Sequence, residues 1–240
     1  MMTLSLQHVS KSFGGTRALQ DLTLDVAPGE VVSLLGPNGA GKTTTLRLIA
    51  GLIRPDQGEI LLGGRSLVRD RQLCQQSVGY LPDVPFVYPS LTGREMLLFV
   101  SDLRRLPRAE SLPRIEQLLA RFDLAGDADR LAGEYSLGMK RKLGLCMALL
   151  HQPSLLLLDE PLNGLDPEQA RLFKDIIAGL RAQGCAVLMS THLLPSAQEM
   201  SDAVCIIDRG RLVGGKWSPA TQLGSLEEQY FRVLKDAQAS

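Results

Sequence analysis

"VVSLLGPNGAGKTTTLRLIAG", Val31 to Gly51, decides how the rest of this chain is read. Val31 to Leu35 is an apolar strand entered from the turn "APGE". Lys42 to Ala50 then reads as a helix that stops near Gly51. Between them "GPNGAGKT", Gly36 to Thr43, has the spacing of a phosphate-binding loop, G-x-x-x-x-G-K-[ST]. Its glycines let the backbone curl so that successive N–H groups point at phosphate oxygens, backed by the positive end of a helix. Lys42 is placed to reach the β- and γ-phosphates, and Thr43 to offer a hydroxyl to Mg²⁺. A chance glycine loop has no reason to sit between a strand and a helix, so the stretch reads as a nucleotide site.

Two more strand ends carry chemistry. "LLLLDE" is a buried strand that finishes in Asp159 and Glu160. Ligands of open α/β sheets gather at the carboxyl ends of strands. An aspartate there can hold Mg²⁺ or its water shell, and the glutamate beside it can orient or deprotonate an attacking water. In isolation the pair would be two solvated acids; the phosphate loop on the same chain favours the functional reading. "VLMSTHLL" places His192 directly after a third strand, as a candidate γ-phosphate contact. A lone histidine is otherwise structural more often than not. Phe13, before "GGTRAL", reads equally as an adenine platform and as a turn aromatic.

Around these points the chain alternates strand and helix. Thr3 to Val9 and Leu22 to Val26 read as strands, as does Ser77 to Leu81. "PDQGEILLGG" is a short strand between two turns. From about residue 84 to 151 the pattern becomes helical, over Glu95 to Leu103, Leu112 to Phe122 and Ser136 to Leu150, as an insertion in an α/β core. The core resumes with Leu155 to Leu158, a helix from Pro167 to Gln183 and the strand Ala186 to Ser190. "AVCIIDRGRLVGG" suits a hairpin around Arg209-Gly210. The tail from Ser218 suits an amphipathic helix with Leu223, Leu226, Tyr230, Phe231 and Leu234 on one face. Continuous apolar strands alternating with helices argue a largely parallel sheet covered on both sides.

Composition narrows the classes. The 240 residues suit one large domain or a core with a subdomain. Lys plus Arg and Asp plus Glu balance at 26 each, which leaves no global basic field for nucleic acid. No apolar run approaches the roughly 20 residues of a membrane span, and the N-terminal residues lack a signal-peptide core. Cys74, Cys146, Cys185 and Cys205 form no CxxC pair and read as buried thiols of a reducing compartment, with cytosol the expected location.

One helix breaks a local rule. "EYSLGMKRKLGLCMALL", Glu134 to Leu150, opens on Ser136 and then crowds Lys140, Arg141 and Lys142 into its first turns. Positive charge is unfavourable at that end of a helix. The hydroxyl of Ser136, the bare backbone at Gly138 and the helix N-terminus suit an anion. The three basic residues read as a solvated face, the usual fate of a charge run.

Taken in order, "GPNGAGKTT", "YSLGMKRK", "LLLLDEPLNGLDP" and "LMSTH" resemble the nucleotide-binding domain of ABC (ATP-binding cassette) transporters, over nearly the whole chain. The resemblance implies an α/β fold: a P-loop NTPase core with a largely parallel sheet, an antiparallel β subdomain and an inserted helical subdomain. Residues 1–83 and 152–217 would be the core, 84–151 the helical subdomain and 218–240 a helical tail. It implies ATP and Mg²⁺ as ligands. Phe13 matches the adenine-stacking position, and Gly36, Pro37, Asn38, Gly39, Ala40, Gly41, Lys42, Thr43 and Thr44 the phosphate loop. Ser136, Leu137, Gly138 and Met139 match the family signature, with Leu137 and Met139 in place of the usual Gly and Gln. Asp159 matches the metal-associated aspartate, Glu160 the catalytic glutamate, Asp166 the loop that crosses between subunits, and His192 the switch histidine. Asp83, in "GYLPDVP", stands where the family has Gln beside metal and water. It reads either as a metal contact of different reach or as a loop acid before Pro85.

The family pairs head to tail with two ATP molecules between subunits, and drives membrane partners. The expected partners are therefore a second ABC ATPase subunit and a separate multi-span permease that holds the chain on the inner face of the membrane. Phe86, Val87 and Tyr88 read equally as core and as a groove for the permease. The Ser-x-Gly-Met-Lys signature and "GLDP" resemble the ABC-2-type exporter branch. A soluble cassette ATPase, for example in iron–sulfur assembly, and a non-hydrolysing scaffold remain as alternatives.

Overall fold

A computed structural model describes residues 2–218 and 225–239 of the chain. In chain order the elements are β1 (Leu4–Phe13), β2 (Thr16–Val26), β3 (Val31–Leu35), α1 (Lys42–Ile49), β4 (Gln57–Leu62), β5 (Arg65–Ser66), α2 (Arg71–Gln76) and β6 (Val78–Leu81). Three helices follow, α3 (Gly93–Leu103), α4 (Arg108–Arg121) and α5 (Leu137–Leu149). The chain continues with β7 (Leu155–Asp159), α6 (Pro167–Ala182), β8 (Ala186–Thr191), α7 (Leu194–Met200), β9 (Ala203–Asp208), β10 (Arg211–Trp217) and α8 (Leu226–Ala239).

The strands form two sheets. One is antiparallel, in the order β2-β1-β4-β5. The other runs β10-β9-β3-β8-β7-β6, with five parallel strands and β10 antiparallel at the edge. Leu155 to Leu158 of β7 are completely buried, because neighbours flank the strand on both edges and helices cover both faces. Truncating one of these leucines to alanine would cost about 2–5 kcal/mol.

Three apolar clusters divide the work. The largest joins α3, α4 and α5 to one face of the parallel sheet, through residues such as Leu97, Leu118, Phe122 and Leu145. A second fills the space between the sheets around α1, with Leu4, Leu22, Leu46 and Ile60. A third seats α8 against β9 and β10 through Leu226, Val233, Val204 and Trp217. Cys74, Cys146, Cys185 and Cys205 are buried thiols; burial pushes Cys185 up to about 11 and Cys205 up to about 12. Among the described residues no helix is long and apolar enough to cross a membrane.

The fold departs from the sequence reading where periodicity is short or interrupted. The first two strands are a longer hairpin than expected, reaching Phe13 and Thr16. Register shifts after Leu6 and Val9, with His8 at φ 53°, break the alternation from which their ends were read. The helices α2 and α7 were not expected; each buries a single residue, Cys74 or Ala197, which is too little for a helical period to show. The third reading to change is the tail. Leu226, Tyr230 and Leu234 pack as expected, but Val233 joins them and Phe231 is 53% exposed. Leu223 lies outside the described residues.

Candidate functional site

Strand register brings the chemistry to one sheet edge. Leu35 at the end of β3 pairs with Thr191 of β8, Ser190 of β8 with Asp159 of β7, and Leu158 with Leu81 of β6. The phosphate loop, Asp83, the Asp159-Glu160 pair and His192 therefore leave neighbouring strands side by side. Pro37, Asn38, Gly39, Gly41, Lys42, Thr43, Thr44, Asp83, Asp159 and Glu160 line a cavity of about 270 Å³.

The loop is clamped from behind. Gly41 has φ 111° at the N-terminus of α1, and a Cβ there would run into Leu19 and the Ala18 carbonyl. That conformation and that closeness both require glycine. The Gly210 N–H donates to the Ala40 carbonyl at 2.9 Å, tying the loop to the turn between β9 and β10. Lys42 is buried and donates to the carbonyls of Gly36 (2.7 Å) and Pro37 (3.2 Å). Its Nζ also lies 3.4 Å from Glu160 Oε1, so the ammonium spans the mouth of the loop.

The acidic side is equally connected. Thr43 Oγ1 donates to Asp159 Oδ1 at 3.1 Å, and Ser190 Oγ donates to the same oxygen at 2.6 Å. Ser190 in turn accepts from the Glu160 N–H at 3.0 Å. Glu160 sits at φ 47°, a left-handed conformation that costs of order 1–3 kcal/mol for a non-glycine residue. Its Oε2 lies 2.9 Å from His192 Nδ1. One carboxylate thus touches the loop lysine on one oxygen and the imidazole on the other. Ser190 was missed by sequence reasoning; its signal is a hydroxyl closing the buried apolar run "AVLMS".

Other expected site residues are not among those lining this cavity. Phe13 is 49% exposed on the β1–β2 hairpin, with Lys11 Nζ 5.4 Å from the centre of its ring. Ser136 is exposed and caps α5, accepting from the Met139 N–H at 3.2 Å. Gly138 faces Gln169 of α6 so closely that a side chain there would displace it. Asp166 is exposed and caps α6 through the Gln169 N–H at 2.8 Å. Ser136, Gly138, Met139, Asp166 and Phe13 thus do not line the cavity that holds the phosphate loop.

The basic run after the signature does not form a uniform solvated face. Lys140 Nζ donates to the Gly133 carbonyl, and Lys142 Nζ lies 3.9 Å from Asp123. Arg141 instead points inward, 4% exposed, and contacts Asp83. Helical spacing explains it: Arg141 lies on the α5 face that carries Leu145 and Ala148 into the core.

Comparison with known proteins supports the same assignment. The ABC transporter family model matches residues 19–163. The uncharacterized ABC transporter ATP-binding protein YxlF of Bacillus subtilis is 41% identical over 209 residues, 87% of this chain and 69% of that protein. The Nod factor export ATP-binding protein I of Paraburkholderia xenovorans is 37% identical, over 88% of this chain and 69% of its own length. Among solved structures, an ATP-binding subunit of an ABC transporter superposes with a TM-score of 0.89 at 31% identity, covering 98% of this chain and all of that one. With the phosphate loop, the paired acids and the histidine on one sheet edge, the chain belongs to the ABC transporter family, as an ATP-binding cassette ATPase subunit.

Proposed function

We propose that this subunit hydrolyses Mg²⁺-ATP as one half of a head-to-tail pair and drives a separate membrane permease, in the export direction. The observation that carries the pairing is the separation of two half-sites. Asp159 and Glu160 line one cavity with the loop, and His192 is held against Glu160, while Ser136 sits exposed at the N-terminus of α5 and neither it nor the half-buried Gly138 lines that cavity. A helix N-terminus with a serine cap suits a phosphate, and a second copy supplies one.

In this reading the N–H groups of Gly36 to Thr44 and the Lys42 ammonium hold the β- and γ-phosphates. Phe13 stacks on adenine, and Ser136, Gly138 and Met139 of the second copy close over the γ-phosphate, with Asp166 at the junction. Thr43, Asp159 and Asp83 present only oxygen donors on the cavity wall, which suits Mg²⁺. Such sites hold the ion through one or two carboxylates plus substrate phosphates and water, so a closed protein cage is not needed. Bound Mg²⁺ would neutralise phosphate charge. Glu160 takes the proton of the attacking water, and His192 fixes its carboxylate and reaches the γ-phosphate.

A second cavity, about 980 Å³, supports the permease reading. It opens between the α/β layer and the helices and is lined by Leu52, Pro85, Phe86, Val100, Leu103 and Met147, among others. Val84 and Phe86 are mostly exposed beside it, and Tyr88 packs edge-on against Phe86 and Phe99. On its wall Arg104 donates to the Gln75 and Val78 carbonyls but has no carboxylate within 4.0 Å among the described residues, and His151 Nδ1 is buried without a hydrogen-bond partner. A short amphipathic helix with one acidic side chain fits that lining. Export is supported by the Ser-Leu-Gly-Met-Lys signature and by the likeness to a relative named for Nod factor export. A peripheral position on the inner face of the membrane follows from such a partner.

The test is Glu160→Gln with Mg²⁺-ATP. ATP binding should persist, hydrolysis should fall by about 10²–10⁴, and a dimer should accumulate on size exclusion. Turnover at the wild-type rate, or a strictly monomeric ATP-bound variant, would refute the base assignment or the pairing respectively.

A further inference from the structure

Asp83 follows β6 and lies on the wall of the nucleotide cavity beside Asp159 and Glu160. Its carboxylate is held from outside that wall. Arg141 Nη2 donates to Asp83 Oδ1 at 3.1 Å and to the Asp83 carbonyl at 3.2 Å. One guanidinium nitrogen therefore grips both the side chain and the main chain of the same residue. Arg141 belongs to the second turn of α5, the helix capped by Ser136. The contact joins two parts of the catalytic assembly that are otherwise far apart in sequence.

The burial of the two partners differs. The Arg141 side chain is 5% exposed and that of Asp83 is 46% exposed. Among the described residues Asp83 is the carboxylate within 4.0 Å of Arg141, and Arg141 Nη1 is buried with no partner at all. Removing the partner of a buried guanidinium is costly, so the pair tends to stay together and the more exposed Asp83 follows Arg141. The half-exposed carboxylate keeps room to turn toward the cavity. A glutamine at position 83 would have no net charge for Arg141 to balance, so the departure at Asp83 and the inward Arg141 form one matched device.

We propose that Arg141 is a positioning residue for Asp83, an ionic tie that passes movement of the signature helix to the carboxylate beside the reacting phosphates. The proposal rests on the reading of the cavity as the Mg²⁺-ATP site. When a second copy engages Ser136, the N-terminal turns of α5 shift, and Arg141 carries Asp83 with it.

The experiment compares Arg141→Gln, Asp83→Asn, the double variant and Lys140→Gln in the full chain. ATPase turnover is measured beside affinity for a non-hydrolysable ATP analogue by calorimetry. Arg141→Gln should lower kcat about tenfold, in keeping with coupling between residues in contact, and leave the analogue Kd within about twofold. The double variant should lose no more than the worse single variant, and Lys140→Gln should keep wild-type turnover. Arg141→Lys should recover part of the loss, and it carries the comparison alone if Arg141→Gln does not fold. Wild-type kcat in Arg141→Gln, multiplicative losses in the double variant, or an equal loss in Lys140→Gln would each overturn the tie. A wild-type chain that binds the analogue but never hydrolyses ATP would overturn the reading of the cavity instead.

Discussion

Ser190→Ala is the most informative single change at the nucleotide edge, because one buried hydroxyl serves both acids. It removes the 2.6 Å bond donated to Asp159 Oδ1 and leaves the Glu160 N–H without the acceptor it has at 3.0 Å. A hydrogen bond to a charged group is worth about 1.5–3 kcal/mol, and an unsatisfied buried donor costs about 1–3 kcal/mol. Thr43 still donates to Asp159, which offsets part of the loss. The expected destabilisation is about 2–4 kcal/mol. For a chain of this length each kcal/mol lowers Tm by about 2–4 °C, so the melting point should fall by roughly 4–16 °C. Glu160 should also lose the anchor of its left-handed backbone, so kcat should fall further than ATP affinity. Thermal unfolding, urea titration and single-turnover hydrolysis read these effects separately. Ser33→Ala is the control: it breaks a buried neutral pair with Ser201, 2.6 Å away, and should cost about 1 kcal/mol without changing turnover. A Ser190→Ala protein that melts within a degree of wild type and keeps full turnover would refute the reasoning.

Lys42→Ala removes a buried ammonium from the loop mouth and should weaken ATP binding by about 10–100-fold, the value of a charge-assisted contact; unchanged affinity by calorimetry would refute the loop reading. His151 gives a pH prediction. Burial, reinforced by Arg104, lowers its pKa from near 6.5 to about 4. Unfolded chain therefore binds a proton that folded chain refuses, and stability should fall as pH drops from about 6.5 toward 4, by at most about 1.4 kcal/mol per pH unit from this residue. Urea titrations between pH 7 and 5 should show a shallower fall in His151→Gln; an identical slope would remove His151 as the cause.

Much of the candidate site's local structure could be read from local pattern. "GPNGAGKT" and "LLLLDE" declare their conformations in a few adjacent residues, since a tight loop needs glycine and a doubly covered strand needs unbroken apolar side chains. The long helices were legible for the same reason, each burying several residues at helical spacing. The ends of β1 and β2 and the short helices α2 and α7 were not, because a bulge or a single buried residue leaves no period to follow.

Strand–loop–helix order, residue chemistry and family motifs are properties of near neighbours along the chain, and they survive without coordinates. The roles of Ser190 and Arg141 are not of that kind. Ser190 matters because β8 lies beside β7 in a register that sets it against Asp159. Arg141, expected among solvated basic residues, is turned into the core by the face α5 presents and meets Asp83 across 58 positions of sequence. Charge pairing and hydroxyl sharing depend on distances of about 3 Å between strands and helices, and folding alone sets those distances.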